Sequence, residues 1–382
     1  MSNRIRAPRR IRVPRITLAA VALVVMLGAP FYIEGDWLFL GILCMAMAIG
    51  AVGLTVLVGT AGQLSLAHGF FVAIGAYGYA LLSGKTDDAD LWGLGWPPVL
   101  AAVGAVLLSA IAGLIFSPVA ARLKGLYLGL ASLALVFIGQ HVLATGRPLT
   151  GGPNGRSTEP FAIGQFELSG STPDFVLLGV PLEWRERLWY LALIGVIVAI
   201  VVATRVVKGR TGRALQLVRD NPSAAAAMGV NVQRAKAEAF VFSSGFGGAA
   251  GVILALSYRF IVPQSFDINM SVNFLAMVII GGLGSVWGAV AGAAFVTSLP
   301  LLIDRFSGVL PFISQPGSGG ITAGLLSQII YGIAIVLILV REPGGLADIA
   351  RRVSRFLNFP AKKRTPTPTP SQQMVTGIVH NE

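Results

Sequence analysis

About ten apolar runs, all but one close to the roughly 20 residues a helix needs to cross a bilayer, constrain this chain more than any other feature. They lie near residues 16–33, 37–58, 64–83, 97–116, 126–145, 188–207, 237–257, 271–280, 286–303 and 321–340, the run at 271 being the shortest. Hydrocarbon offers backbone amides no partner, so each run must satisfy its own as a helix. The expected fold is therefore all-α: a polytopic integral membrane protein with about 8–10 transmembrane helices, some of them broken or re-entrant. Composition agrees, since 54% hydrophobic residues, 12% charged residues and a mean hydropathy of +0.75 exclude a soluble globular domain.

The net charge of +12 does not form a groove-reading stripe, which argues against nucleic acid as a partner. Instead Arg and Lys cluster beside apolar runs, where basic loops face the cytosol. Arg4 to Arg15 precede the first run, Arg122 and Lys124 follow the fourth, Lys208 to Lys236 follow the sixth, and Arg351 to Arg364 follow the last. Ten crossings place all four regions, and both termini, on that side. Glu34, Asp36, Asp87, Asp88, Asp90 and the segment 146–187 then face outward. A cleaved leader is the weaker reading of the N-terminus, because Leu27-Gly28-Ala29 is a poor cleavage site and further helices follow at once. The expected organisation is a basic cytosolic tail at 1–15, a transmembrane domain at 16–346 and a basic, Thr-Pro-rich cytosolic tail at 347–382. Within the transmembrane domain, 146–187 is an outer loop and 208–236 a cytosolic loop. The basic residues of both tails suit anionic membrane lipids.

Two uncharged, glycine-broken segments interrupt the apolar sequence: Val58-Gly-Thr-Ala-Gly-Gln-Leu-Ser-Leu-Ala-His-Gly69 and Ile280-Gly-Gly-Leu-Gly-Ser-Val-Trp-Gly288. A membrane helix breaks its own hydrogen bonds only where protein or a water-lined path replaces them. The expectation is unwound backbone at mid-depth, each break followed by a half-helix whose positive end can receive an anionic carboxylate. Gly59, Gly62, Gln63, Ser65, His68, Gly281, Gly282 and Gly284 are the candidate path residues. His68 could equally be a neutral imidazole bonded to a nearby carbonyl, and Gln63 and Ser65 could serve only the freed backbone. Both breaks open with a Gly-x-x-Gly step and lead into small residues, which hints at two diverged halves.

Other chemistry is poorly supported. Cys44 is the single cysteine and the three histidines are far apart, so no metal site is expected. Gly78-Tyr-Ala-Leu-Leu-Ser-Gly-Lys-Thr86 misplaces the first glycine of a phosphate-binding loop by one position. Ser65 and His68 lack a nucleophile elbow and an acidic third member, so no catalytic residue is expected. The near absence of Asp and Glu from the apolar runs argues against a proton-coupled transporter or channel.

Between residues 209 and 232 the chain reads as two short helices separated by a turn, with Pro222 in a first turn and Gly229 ending an alanine run. Ser223-Ala-Ala-Ala-Ala-Met-Gly229 resembles the coupling loop Glu-Ala-Ala-x-x-x-Gly of ATP-binding cassette (ABC) importer permeases, with Ser223 in place of the Glu. Gly53-Leu-x4-Gly59-x2-Gly62-Gln-x-Ser65-Leu-x-His68-Gly-x-Phe-x2-Ile-Gly75-Ala-Tyr77 is similar to the signature of LivM-type permease subunits of branched-chain amino-acid ABC importers. Leu149-Thr-Gly-Gly-Pro-Asn-Gly155, the coupling loop, Met277 to Gly288 and Arg341-Glu-Pro-x-Gly-Leu346 follow in the family's order. The resemblance spans about residues 53–346. It implies a transport subunit that is not itself an enzyme, set in the plasma (inner) membrane of a prokaryote. Implied partners are a LivH-type second permease, two cytosolic ABC ATPases that use ATP, and an extracytoplasmic substrate-binding protein. The implied cargo is a branched-chain amino acid, with urea or a short-chain amide as the alternative. Arg213, Arg219, Asp220, Ser223, Ala224, Ala225 and Gly229 are the expected ATPase-coupling residues.

Overall fold

The computed structural model describes residues 15–352 apart from 87–90, 124, 164–165, 170–174, 178–179, 306–321, 342–343 and 349–351. Most of the two expected tails, together with Asp87, Asp88, Asp90, Lys124, Glu342 and Pro343, thus lies outside the described residues. The helices are α1 (Arg15–Gly28), α2 (Gly35–Thr55), α3 (His68–Ser83), α4 (Pro98–Arg122), α5 (Leu126–Thr145), α6 (Arg147–Thr150), α7 (Trp184–Lys208), α8 (Arg210–Asp220), α9 (Pro222–Ala227), α10 (Val232–Tyr258), α11 (Ile268–Gly281), α12 (Val286–Arg305) and α13 (Ala323–Arg341). Six of them, with α2 extended to Thr60, are long and apolar enough to cross a membrane, so this is a multi-pass membrane protein.

Chain direction follows from contacts at the helix ends. Arg305, closing α12, lies 4.0 Å from Glu34 just before α2, whereas Gly284, just before α12, meets Gly59 at the far end of α2. The two helices are therefore antiparallel. One end of the bundle carries α8 and α9. The opposite end carries the short hairpins, where β1 (Arg156–Ser157) pairs with β6 (Phe260–Ile261), β2 (Ala162–Ile163) with β3 (Phe166–Glu167), and β4 (Phe175–Leu177) with β5 (Val180–Leu182). The connection from α5 to α7 is thus built, and buried Arg156 pins it by donating to the carbonyls of Leu149 (2.8 Å) and Trp92 (3.0 Å).

Small residues set the packing, as expected where lipid supplies no hydrophobic drive between helices. A Cβ on Gly75 would strike Gly248, and one on Gly251 would strike the Val72 carbonyl, so α3 and α10 touch backbone to backbone. The Ser109 hydroxyl of α4 sits between the Ser244 carbonyl of α10 (2.7 Å) and the Phe71 carbonyl of α3 (3.0 Å). Around this core, α4, α5 and α7 expose Leu107, Ile111, Ile115, Ile138 and Ile194. Such apolar surface suits lipid and would be a liability in water.

Helix α12 contains Pro300, which cannot donate to the Val296 carbonyl one turn earlier. The Tyr331 hydroxyl of α13 donates to that carbonyl at 2.6 Å, so a neighbouring helix supplies the missing donor. Tyr331→Phe should cost about 1–3 kcal/mol, the penalty for an unsatisfied buried carbonyl. Pro300→Ala in the same chain should restore most of it, and thermal unfolding of the four variants in lipid nanodiscs reads the coupling.

Two expected runs need correction. The third crossing starts at His68, not at residue 64, because residues 61–67 are non-helical; it is α3. The fourth extends past residue 116 to Arg122, with Pro118 inside it.

Candidate functional site: a joint between two broken hairpins

Helix α2 widens at its end into a π-turn, Val56–Thr60, and the Ala61 amide bonds back to the Val56 carbonyl at 3.1 Å. Such widening frees carbonyls, here that of Gly59. From Thr60 the chain re-enters the bundle as 61–67 and starts α3 at His68. Helix α11 ends at Gly281, and the chain turns through Gly282 and Gly284 into α12. Gly284 has φ +79°, a left-handed conformation that favours glycine.

The two breaks form one structure. A Cβ on Gly59 would fall on the backbone of Gly284, whose N–H donates to the buried Thr55 hydroxyl at 3.2 Å. Gly345 packs on the other side, its Cβ position 2.5 Å from the Gly282 nitrogen, so the closing block docks here as well. Helix α8 completes the joint. Arg219 Nη1 donates to the Gly59 carbonyl at 2.5 Å, and the same side chain covers Gly62, whose Cβ position is 2.5 Å from its Cγ.

This placement sets the turns at Gly59, Gly62, Gly282 and Gly284 at the end of the bundle, whereas the unwound stretch 61–67 runs on to His68, which packs beside Gly50 halfway along α2, at the expected mid-depth. The glycine turns stand beside α8 because α2 runs 26 residues from Gly35 to Thr60 before it breaks. At about 1.5 Å per residue that is roughly 39 Å, enough to cross the whole hydrocarbon layer. Arg219, expected as a coupling residue, meets two of the candidate path residues, Gly59 and Gly62, directly.

The start of α3 lies deeper, and two of the side chains that serve it, Ser132 and Ser271, are ones the sequence did not single out. The Leu66 amide donates to Ser132 of α5 (2.8 Å), the Ala67 amide to Ser65 (3.3 Å), and the Gly69 amide to Ser271 of α11 (2.9 Å). Three serine hydroxyls thus occupy amides expected to face an anion, and Ser65 serves the backbone. The available signal was an isolated Ser or Thr inside an apolar run: Thr55, Ser132 and Ser271 are each fully buried. Gln63 differs, since it is 4% exposed and both its amide atoms lack partners among the described residues. His68 is buried with its ring edge-on to Phe274 at 4.7 Å. Its Nε2 approaches the Gly50 backbone without reaching good hydrogen-bond geometry. Gly281 lies against the Gly288 carbonyl, where it closes the α11–α12 hairpin.

The 208–236 loop matches its expected local structure. Asn221 caps α9 by accepting from the amides of Ser223 (3.1 Å) and Ala224 (3.0 Å), Pro222 follows the cap, and Gly229 turns the chain out at φ +83°. Ala225 is buried beneath, while Ser223, Ala224 and Gly229 are exposed and Met228 is 63% exposed. Arg213 donates to the Lys208 carbonyl at 3.3 Å, and Asp220 lies 3.6 Å from Arg219.

Residues 38–339 match the family described as branched-chain amino acid transport system / permease component. The chain belongs to that family. It is 30% identical to the high-affinity branched-chain amino acid transport system permease protein LivM of Escherichia coli K12, over 90% of this chain and 78% of the relative. The LivM protein of Salmonella typhimurium is also 30% identical, over 89% and 76%. A probable branched-chain amino acid transport permease protein LivH of Methanocaldococcus jannaschii is 25% identical over 87% of this chain and 97% of its own length. No solved structure matches. The permease family thus accounts for the motifs that converge on the joint.

Proposed function

We propose that this permease is one transmembrane subunit of an ABC importer that moves branched-chain amino acids across the plasma membrane into the cytosol. A LivH-type permease pairs with it, two cytosolic ATPases seat under α9 and hydrolyse the ATP, and an extracytoplasmic binding protein delivers cargo at the hairpin end. The α8–α9 end, and with it both termini, faces the cytosol, in keeping with the basic residues there. The contact of Arg219 with Gly59 carries the reading, because it ties an exposed loop helix to the break between two membrane helices.

Nucleotide-driven closure of the ATPases would push on α9 and α8. Arg219 would pass that shift to the π-turn of α2 and so to residues 61–67 and His68. The Gly59–Gly284 contact would pass it to the α11–α12 hairpin. Two packed hairpins that touch backbone to backbone at Gly59 and Gly284 would then shift against each other as bodies. Uptake of labelled leucine by the complete reconstituted transporter tests the cargo. Excess isoleucine or valine should abolish uptake and excess urea should leave it unchanged; urea uptake without leucine uptake would assign the permease to the urea and short-amide importers.

A further inference from the structure

A second feature lies away from the joint, towards the hairpin end. Helices α2, α10, α11, α12 and α13 line a partly open cavity of about 440 Å³, within the range of small-molecule sites. Leu43 and Met47 of α2, Met277 of α11 and Val296 of α12 supply apolar lining. Asn273 of α11, Thr297 of α12 and Gln328 of α13 supply polar lining. In hydrocarbon a polar group without a partner is costly, and one of these lacks one. Thr297 Oγ1 is buried without a hydrogen bond, although a helical threonine ordinarily bonds its own preceding turn.

The cavity adjoins a second space of about 370 Å³, with which it shares Phe39 and Leu301. That outer space is walled by Asp36, Asp304 and Arg305, so it offers both signs of charge. Arg305 stands 5.2 Å over the Trp37 ring, and Asp36 lies 3.2 Å from Arg185. Phe39 is four residues into α2 and Met47 twelve, so the two spaces descend to roughly 18 Å below the start of that helix. By contrast, the larger groove of about 590 Å³ between α2, α4, α7 and α10 has only apolar residues around it and suits lipid chains.

We propose that the cavity between α2, α11, α12 and α13 is a docking site within this one subunit for a small zwitterion with a compact apolar side chain. The ligand enters past Asp36, Asp304 and Arg305. Its ammonium and carboxylate groups take the partners that Asn273, Thr297 and Gln328 offer, and its side chain lies against Leu43, Met47 and Met277. An acyl chain would leave those polar groups unsatisfied. A planar amide such as urea would leave the apolar lining bare. The site rests on the amino-acid cargo reading and makes it specific: cargo would rest here on its way to the joint.

Equilibrium binding of radiolabelled L-leucine to the full chain in lipid nanodiscs tests the site. Saturable binding is expected, displaced by valine and not by urea. Thr297→Leu, which fills the cavity and removes the hydroxyl, and Asn273→Leu should each weaken it at least tenfold. Thr297→Ser should bind within about threefold of native, the equivalent of about 0.7 kcal/mol. A Thr297→Leu chain with native helix content and thermal midpoint that still binds leucine normally would overturn the site, as would the absence of saturable binding by the native chain. Displacement by phospholipid alone would assign the cavity to lipid and overturn it too. Leucine uptake by the complete transporter with no binding here would sink the cavity and leave the cargo reading standing; urea uptake in place of leucine would sink the cargo reading whatever the nanodiscs show.

Discussion

Gly59→Leu should abolish uptake while leaving most of the helices intact. The Cβ alone would fall on the Gly284 backbone, which has no side chain to swing aside. Relief requires the α2–α3 and α11–α12 hairpins to separate where Gly59 meets Gly284, a change expected to cost about 3 kcal/mol or more. A loss of transport of at least about 100-fold is the kinetic counterpart of such a cost. The measurement is leucine uptake by the assembled transporter, alongside the thermal midpoint of the purified chain. Gly229→Leu supplies the contrast. Its Cβ meets nothing within 4 Å, so the penalty is confined to the left-handed backbone at φ +83°, about 1–2 kcal/mol. That variant should assemble in the membrane and hydrolyse ATP without uptake. A Gly59→Leu transporter with native uptake would remove the joint from the mechanism.

Arg219→Ala should separate the two activities of the transporter. The substitution strips the Gly59 carbonyl of its donor and uncovers Gly62. A hydrogen bond from a charged group is worth about 1.5–3 kcal/mol, and the half-exposed guanidinium places this one at the lower end. Stability should therefore fall by little. Uptake should fall at least tenfold, with ATP hydrolysis by the complex within twofold of native. Arg219→Lys, which retains the charge without the fork, should recover part of the uptake. Parallel loss of ATPase activity and uptake, together with loss of assembly, would mean that Arg219 only holds the loop in place.

Local chemistry made much of this molecule legible before any contact was known. The caps and breaks of α8 and α9 followed from Asn221, Pro222 and Gly229, because a capping side chain and a left-handed turn act within three or four residues. The crossings followed from run length, with errors at their ends. Residues 64–67 look as apolar as the helix beside them, yet Ser132, 66 residues away, holds this stretch out of helical form. The position of the glycine turns at the end of the bundle is not legible for a related reason. Glycine pattern marks where a helix stops and says nothing about how far the preceding helix has travelled.

Run length, charge placement and local turn residues set the solvent, the class of fold and the local shape of the 208–236 loop, since each of these depends on residues close together in the chain. Tertiary structure alone decided that Gly59, Gly62, Arg219, Gly284 and Gly345 form one joint, and that Asn273, Thr297 and Gln328 share one cavity. The physical reason lies in the residues that make these contacts. Glycine has no side chain with which to specify a partner, so backbone contacts between residues 59 and 284 leave no periodic signal and exist only once the helices have packed.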